Sequence, residues 1–463
     1  MSALHELSLV ELAAALRAGE ITPREATEHY LERAVARVDL GAFAELRGDL
    51  AVARADVLAR APQQGSLWGV PHADKDLVAR AGVATRYGSR ARADFVPEAS
   101  DPLARALDDA GVVTLGKTAT SEFGLSGYTE PAGAPAARDP WNPANGAGGS
   151  SGGAAVAVAA GLLPAAIGSD GGGSIRIPAA TVGVVGLKPS RGRLPIGSGL
   201  DSPDGLAVTG PLARTVADAA LLLDVLTGLA PYRYATRAPH AGPFLEAARS
   251  TRGLRIGVTT TSPWDDDEDI RVAPEARDAV RFAADVLAGE HAVSDAAWHP
   301  HGYAALFRTL WRASAARIPL SARDLDLVEP LTAWLVREGR TLDAPRVLEA
   351  LASARVFERE TIAAFDAFDA VLTPALAQTP RPVGWYDGHD PERTFALQVE
   401  YAPFSSFVNV AGLPALTVPV TQGSGGHPVS VQLIGRPGGE AAIIALAAEL
   451  EAARGPLPHP PGW

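Results

Sequence analysis

Gly148-Gly-Ser-Ser-Gly-Gly-Ala-Ala155 and Ser169-Asp-Gly-Gly-Gly-Ser-Ile-Arg176 are the two stretches on which the reading of this chain turns. Each joins a glycine-rich loop to a segment that reads as helix, Ala154 to Ala160 after the first and a start at Pro178-Ala-Ala after the second. Glycines there permit unusual backbone angles and close backbone approach. A flexible linker would be flanked by more polar low-complexity sequence, whereas apolar helix follows here; a phosphate-binding turn is the more serious rival. In Asp170-Gly-Gly-Gly-Ser174 the N–H groups of Gly171, Gly172 and Gly173 are free to converge on one point, as an oxyanion hole requires. A serine hydroxyl sits beside them, the arrangement acyl transfer needs as charge develops on a carbonyl oxygen.

Upstream, lysine usage singles out one more group. The chain has lysine only at positions 75, 117 and 188, and its other basic residues are arginine. Arginine cannot act as a base, because guanidinium keeps its proton at any accessible pH. Val70-Pro-His-Ala-Asp-Lys-Asp-Leu77 reads as a strand end that would hold the Lys75 amine away from water, and burial lowers an amine's pKa toward the range where it can accept a proton. The competing reading gives Lys75 an ion pair with Asp74 or Asp76.

Around these segments the pattern is α/β. Capping boxes at Ser8-Leu-Val-Glu11 and Thr22-Pro-Arg-Glu25 open two amphipathic helices. A helix from about Asp101 to Ala110 leads into the strand Val112-Val-Thr-Leu115, and a helix from Val216 to Leu226 precedes the strand Leu254 to Val258. A helical region spans about 274–368. Ala370 to Thr373, Ala415 to Val420 and Val429 to Ile434 read as strands, Glu440 to Ala453 as the last helix, and Pro456 to Trp463 as a surface strap.

The totals exclude more than they identify. At 463 residues, 47% hydrophobic and 20% charged, the chain is that of a globular enzyme with a substantial core. A net charge of -12 with no basic cluster argues against nucleic acid as a partner. Without cysteine there is no disulfide, thiolate nucleophile or cysteine-ligated metal. No signal-peptide pattern opens the chain and no stretch of about 18 apolar residues follows, so the expectation is a cytoplasmic protein without membrane contact.

Taken together, Lys75-Asp76, Gly-Gly-Ser-Ser-Gly-Gly and Gly168-Ser-Asp-Gly-Gly-Gly-Ser-Ile-Arg-Ile-Pro178 resemble the amidase-signature family, in order and at family-like separations. The likeness runs from about Leu67 to Arg193, with weaker echoes at Gly116 to Phe123, Arg138-Asp-Pro-Trp141 and Asn409-Val-Ala-Gly-Leu-Pro414. It implies one amidase-signature domain over 1–463, with 67–193 as catalytic core and 274–368 as specificity region. Its fold would be a large mixed, mostly parallel β-sheet with helices on both faces. It also implies a Ser-cisSer-Lys triad: Ser174 as nucleophile, Ser150 bridging through a cis peptide, and Lys75 as base. Ser151 would support by hydrogen bonding, and Asp170 and Arg176 would brace the loop. No cofactor or metal is implied; the partner is a small amide, and a homodimer is a family-level expectation.

Four rivals bear weighing. Gly111-Val-Val-Thr-Leu-Gly-Lys117-Thr118 matches the P-loop pattern, but a helix precedes Gly111 and the variable residues are strand-like. Ser150 and Ser151 also satisfy the nucleophile elbow G-x-S-x-G, with His389 or His427 to complete a triad, yet no strand precedes them. Metal-dependent hydrolysis finds no H-E-x-x-H, and His299-Pro-His301 reads as an exposed loop. Within the family, a glutamine-dependent amidotransferase subunit is the alternative; Tyr401-Ala-Pro403 stands where such subunits tend to carry an acid. Specificity is expected from the stretch after Glu122 and from Trp298, Phe307, Trp311, Trp334, Trp385 and Tyr386. If some of these line a cleft, aryl or alkyl amides, and carbamates by the same chemistry, would be its substrates.

Overall fold

The opening helices, Leu9–Ala18 and Pro23–Ala36, begin as their sequences require. The Ser8 and Thr22 hydroxyls accept the N–H of Glu11 and Glu25, and each glutamate reaches back to the capping residue. Leu9, Leu12 and Leu16 lie on one face and are buried. The computed structural model describes residues 3–194, 203–228, 242–249, 253–386 and 388–463.

Among the described residues the strands are β1 (Phe43–Leu46), β2 (Pro71–Lys75), β3 (Val113–Thr118), β4 (Ala165–Asp170), β5 (Val185–Lys188), β6 (Val208–Ala213), β7 (Arg255–Val258), β8 (Ala292–Asp295), β9 (Ala370–Pro374), β10 (Ala415–Gln422) and β11 (Pro428–Gly435). They form a three-stranded sheet ordered β1-β3-β2 and an eight-stranded sheet ordered β4-β6-β5-β10-β11-β9-β7-β8. The large sheet is mixed, as the resemblance implied. Its neighbouring strands, however, are antiparallel from β4 through to β9, and only β9-β7-β8 run parallel, so it is not mostly parallel. Connection length explains the difference. β10 and β11 are joined by the short turn at 423–427, which forces antiparallel pairing, while β7 reaches β8 through the crossover helix Pro274–Leu287.

The stretch at 274–368 is helical apart from β8, whose residues Ala-Val-Ser-Asp are mostly exposed and give no alternating pattern to read. Its first helix packs against β9, β10 and β11 of the large sheet. Tyr303–Ala316, Pro330–Arg340 and Ala344–Phe365 form a separate aromatic-rich cluster with Trp264, Trp298 and Phe407.

The helix Gly152–Ala159 joins the two sheets. It touches β4 and β6 on one side and β1, β2 and β3 on the other, so all of its residues are buried. Such an approach excludes side chains: a Cβ on Gly153 would lie 2.4 Å from both Ala119 N and Ala42 O. Small residues at this helix start therefore serve packing, and packing fixes where the preceding serines stand.

The far end of the glycine-rich signature segment is fastened by a buried pair. Arg193 donates to Glu440 at 2.7 and 3.0 Å, Glu440 also accepts the Ser190 N–H at 2.8 Å, and both side chains are within about 1% of full burial. Removing one partner leaves a buried charge without compensation, so Glu440→Ala is expected to lower unfolding free energy by roughly 3–5 kcal/mol, read from urea denaturation.

Candidate active site

Lys75 closes β2 and is 2% exposed. Its Nζ donates to Ser150 Oγ at 2.8 Å, Ser151 Oγ at 2.8 Å and Ser169 Oγ at 2.9 Å. These three hydroxyls come from the start of the Gly152–Ala159 helix and the end of β4, so a residue of the small sheet meets residues anchored to the large one. The flanking carboxylates are engaged elsewhere. Asp74 accepts from Arg80 at 2.7 Å, and Asp76 accepts the Arg86 N–H at 3.1 Å. The ion-pair reading of Lys75 therefore does not hold.

Burial drives the Lys75 amine down to about 7, against the opposing pull of the Asp170 carboxylate. Three hydroxyl oxygens match the three protons of an ammonium, but they bring no charge to offset its lost hydration. Asp170 behaves oppositely: burial alone would raise it, yet Arg176 holds it well below the usual carboxylate range.

Arg176 and Asp170 interlock at the turn after β4. Arg176 Nε and Nη2 meet the two Asp170 oxygens at 2.9 Å each, and Nη1 donates to Ser405 O at 2.9 Å and Gln432 Oε1 at 2.7 Å. Asn409 Nδ2 ties the same turn down through Asp170 O at 2.8 Å. Asp170 also takes the N–H of Gly173 at 2.7 Å. That corrects one expectation, since an N–H already given to a carboxylate is not free to face an oxyanion. Among the described residues the N–H groups of Gly171 and Gly172 have no such acceptor.

Ser174 follows this turn. It lines the same cavity as Ser150, Ser169 and Gly171, its carbonyl accepts the Ser151 N–H at 3.1 Å, and its hydroxyl has no hydrogen-bond partner among the described residues. The Gly149–Ser150 peptide is cis. The cavity has a volume of about 830 Å³ and a largely apolar wall built from Tyr87, Phe95, Phe123, Leu125 and Trp311, among others.

The family model for Amidase matches residues 25–444. The chain belongs to the amidase family. It is 34% identical, over the whole of both chains, to a glutamyl-tRNA(Gln) amidotransferase subunit from Nitratidesulfovibrio vulgaris. Among solved structures it resembles 6-aminohexanoate cyclic dimer hydrolase in complex with substrate (TM-score 0.89, 29% identity, 99% of each chain). It also resembles the native peptide amidase of Stenotrophomonas maltophilia (TM-score 0.82, 29% identity, 98% of each chain). The chain is thus an amide-hydrolysing enzyme with the amidase-signature fold.

The rival sites of this amidase lie apart from the lysine cluster. Lys117 is fully buried on β3 and donates to Val78 O, so no open phosphate loop surrounds it. His427 pairs with Asp139 at 2.9 Å and His389 is exposed; neither lines the cavity. No described helix is long and apolar enough to cross a membrane. Of the aromatic residues expected at a cleft, Trp311 lines the cavity and Phe307 stands behind Gly172, whereas Trp298 and Tyr386 are core. Ser169, Tyr87 and Phe95 carry no comparable signal in the sequence. Ser169 opens the glycine motif, where attention falls on Ser174 beside the glycines, and the structure puts it in β4; the two aromatics lie in a loop without periodicity.

Because an unfolded lysine stays protonated up to its ordinary 10.5 while buried Lys75 loses its proton near 7, the unfolded chain binds more protons within that window and stability rises with pH there. Compared with Lys75→Met, the parent should gain stability between about pH 7 and 10.5 and show a constant gap below 7. Denaturation midpoints at pH 6, 8 and 10 read this directly; equal slopes in the two proteins would contradict the buried neutral amine.

Proposed function

We propose that this amidase cleaves small amides with apolar substituents through an acyl-enzyme on Ser174, with Ser150 and Lys75 as the proton relay. The observation that carries the reading is a buried amine that ionises near neutrality, hydrogen bonded to Ser150, a residue that lines the same cavity as Ser174. Neutral Lys75 takes the Ser174 proton by way of Ser150 as the hydroxyl attacks the carbonyl. The same chain returns it to the departing nitrogen, which leaves poorly unprotonated. Water, deprotonated along the same path, then releases the acid.

The N–H groups of Gly171 and Gly172, and that of Ser174 itself, are the donors available to the developing oxyanion. Ser151 and Ser169 hold the amine in place: Ser151 Oγ also meets Ser169 O and N, each at 3.3 Å. The apolar wall supports aryl or alkyl amides, and carbamates by the same tetrahedral chemistry. Relatives named as a peptide amidase and a cyclic dimer hydrolase fit a small amide substrate.

The amidotransferase-subunit reading draws on the relative from Nitratidesulfovibrio vulgaris. Against it, Tyr401 is buried with its hydroxyl on Thr181 Oγ1 at 2.8 Å, and Ala402 and Pro403 supply no acid. The buried carboxylate of the cavity wall, Asp204, already accepts the Leu206 N–H at 3.0 Å and the Ser314 hydroxyl. Activity of the purified chain without partner proteins separates the two readings.

Ser174→Ala is expected to reduce kcat by on the order of 10³-fold or more and to abolish the acyl-enzyme adduct in rapid-quench mass spectrometry; undiminished turnover would remove the proposal. In the parent, kcat/KM should climb with pH through an ionisation near 7, since the protonated amine cannot act as base. Across a panel of anilides, alkyl amides, carbamates and glutamine, apolar amides should show the highest kcat/KM, and a preference for glutamine would favour the amidotransferase reading.

A further inference from the structure

We propose that Asp266, His299 and His301 form a binding site for a borderline divalent transition ion, Zn²⁺ in the first instance, on the outer face of the helical region. The three side chains converge from two separate segments, the loop after β7 and the loop after β8. One ligand atom from each lies within 4.8 Å of the others, and no other group of three or more such residues occurs among the described residues. Asp266 Oδ1 is 3.1 Å from His299 Nε2, Asp266 Oδ2 is 2.8 Å from His301 Nδ1, and the imidazole rings stand nearly perpendicular with centroids 4.9 Å apart. Zinc bonds of about 2.0–2.2 Å to nitrogen and carboxylate oxygen place ligand atoms roughly 3–3.5 Å apart around one ion, a spacing that small rotations of exposed side chains supply. Two imidazoles and one carboxylate are a donor set that favours Zn²⁺ over Mg²⁺ or Ca²⁺.

Buried aromatic side chains anchor both segments beside the three exposed ligands. Trp264, two residues before Asp266, is 1% exposed, and its Nε1 donates to Ser406 Oγ at 3.2 Å. Trp298 precedes His299 and packs on Phe407 at 4.5 Å. Tyr303, two residues past His301, donates its hydroxyl to the same Ser406 Oγ at 2.8 Å. Pro300 between the histidines restricts the backbone further. The shared carboxylate by itself gives little stability, since polar pairs exposed to water are well screened; as ligands the same three groups would tie the loop after β7 to the start of the Tyr303–Ala316 helix. That helix carries Phe307 and Trp311, whose rings back Gly172 and Gly171. The ion would therefore stiffen the cavity wall without touching the reaction, and its open coordination positions would hold water.

Isothermal titration of the full-length, tag-free, chelator-treated protein with ZnCl₂ at pH 7.5 tests the site. One equivalent of Zn²⁺ is expected to bind and to raise Tm, with affinity at least tenfold weaker in His299→Gln and in His301→Gln. Both variants should keep the parent's metal-free Tm and amidase activity, and Mg²⁺ should give no binding. His29→Gln, which alters the other close histidine pair (His5 Nδ1 to His29 Nε2, 3.1 Å), should bind as the parent does. Equal Zn²⁺ affinity in the parent and in the double variant His299→Gln/His301→Gln would overturn the proposal, as would loss of the equivalent in His29→Gln.

Discussion

The amine of Lys75 lies 2% exposed among three serine hydroxyls with no carboxylate in hydrogen-bond contact, and the surrounding architecture is organised around keeping it so. Water would restore the charged form, and a paired carboxylate would fix it; either would end the use as a base proposed for it. The two acids beside it in sequence are drawn off, Asp74 by Arg80 and Asp76 by backbone N–H groups of the following loop. The acid closest in effect, Asp170, is turned to Arg176 and Asn409. A chain of -12 net charge thus keeps this lysine apart from its own carboxylates by giving each one another partner.

That arrangement depends on contact between two sheets that share no strand. β2 brings the lysine, β4 and the following turn bring Ser169 and Ser174, and the glycine-led helix between them brings Ser150 and Ser151. The site stays together only while that helix packs closely against both sides, which the clash awaiting any Cβ at Gly153 makes plain. The Arg176 network extends the same fastening to the C-terminal strands through Gln432 and to Asn409 beyond. Site geometry and core packing here are one set of contacts.

The helical region contributes shape in place of chemistry. Trp311 and Phe307 pack against Gly171 and Gly172 of the glycine turn, while Trp298 and Trp264 stay in the core. The other aromatic residues of the wall, Tyr87, Phe95 and Phe123, come from loops that precede both glycine clusters in the chain. The cavity wall therefore draws on both halves of the chain, and the proposed preference for apolar amides would follow from aromatic surfaces that converge only on folding.

The sequence alone determined the helix starts, and it singled out candidate residues and a family resemblance, because capping, glycine clustering and the scarcity of lysine are local signals and the motifs stand in a family-like order. Lys75 and Ser174 were legible for that reason, and the roles expected of Ser150, Asp170 and Arg176 came with the family resemblance. Only the tertiary structure decided which partners they take: that Ser169 completes the cradle of Lys75, that Gly173 gives its N–H to Asp170, and that Tyr87 and Phe95 share the cavity wall with Trp311. It also decided that the large sheet is mainly antiparallel, since strand direction depends on which distant segments pair and how short their connections are. Hydrogen-bond partners and sheet order are long-range choices, fixed by competition among segments far apart in the chain, and a linear pattern carries no record of that competition.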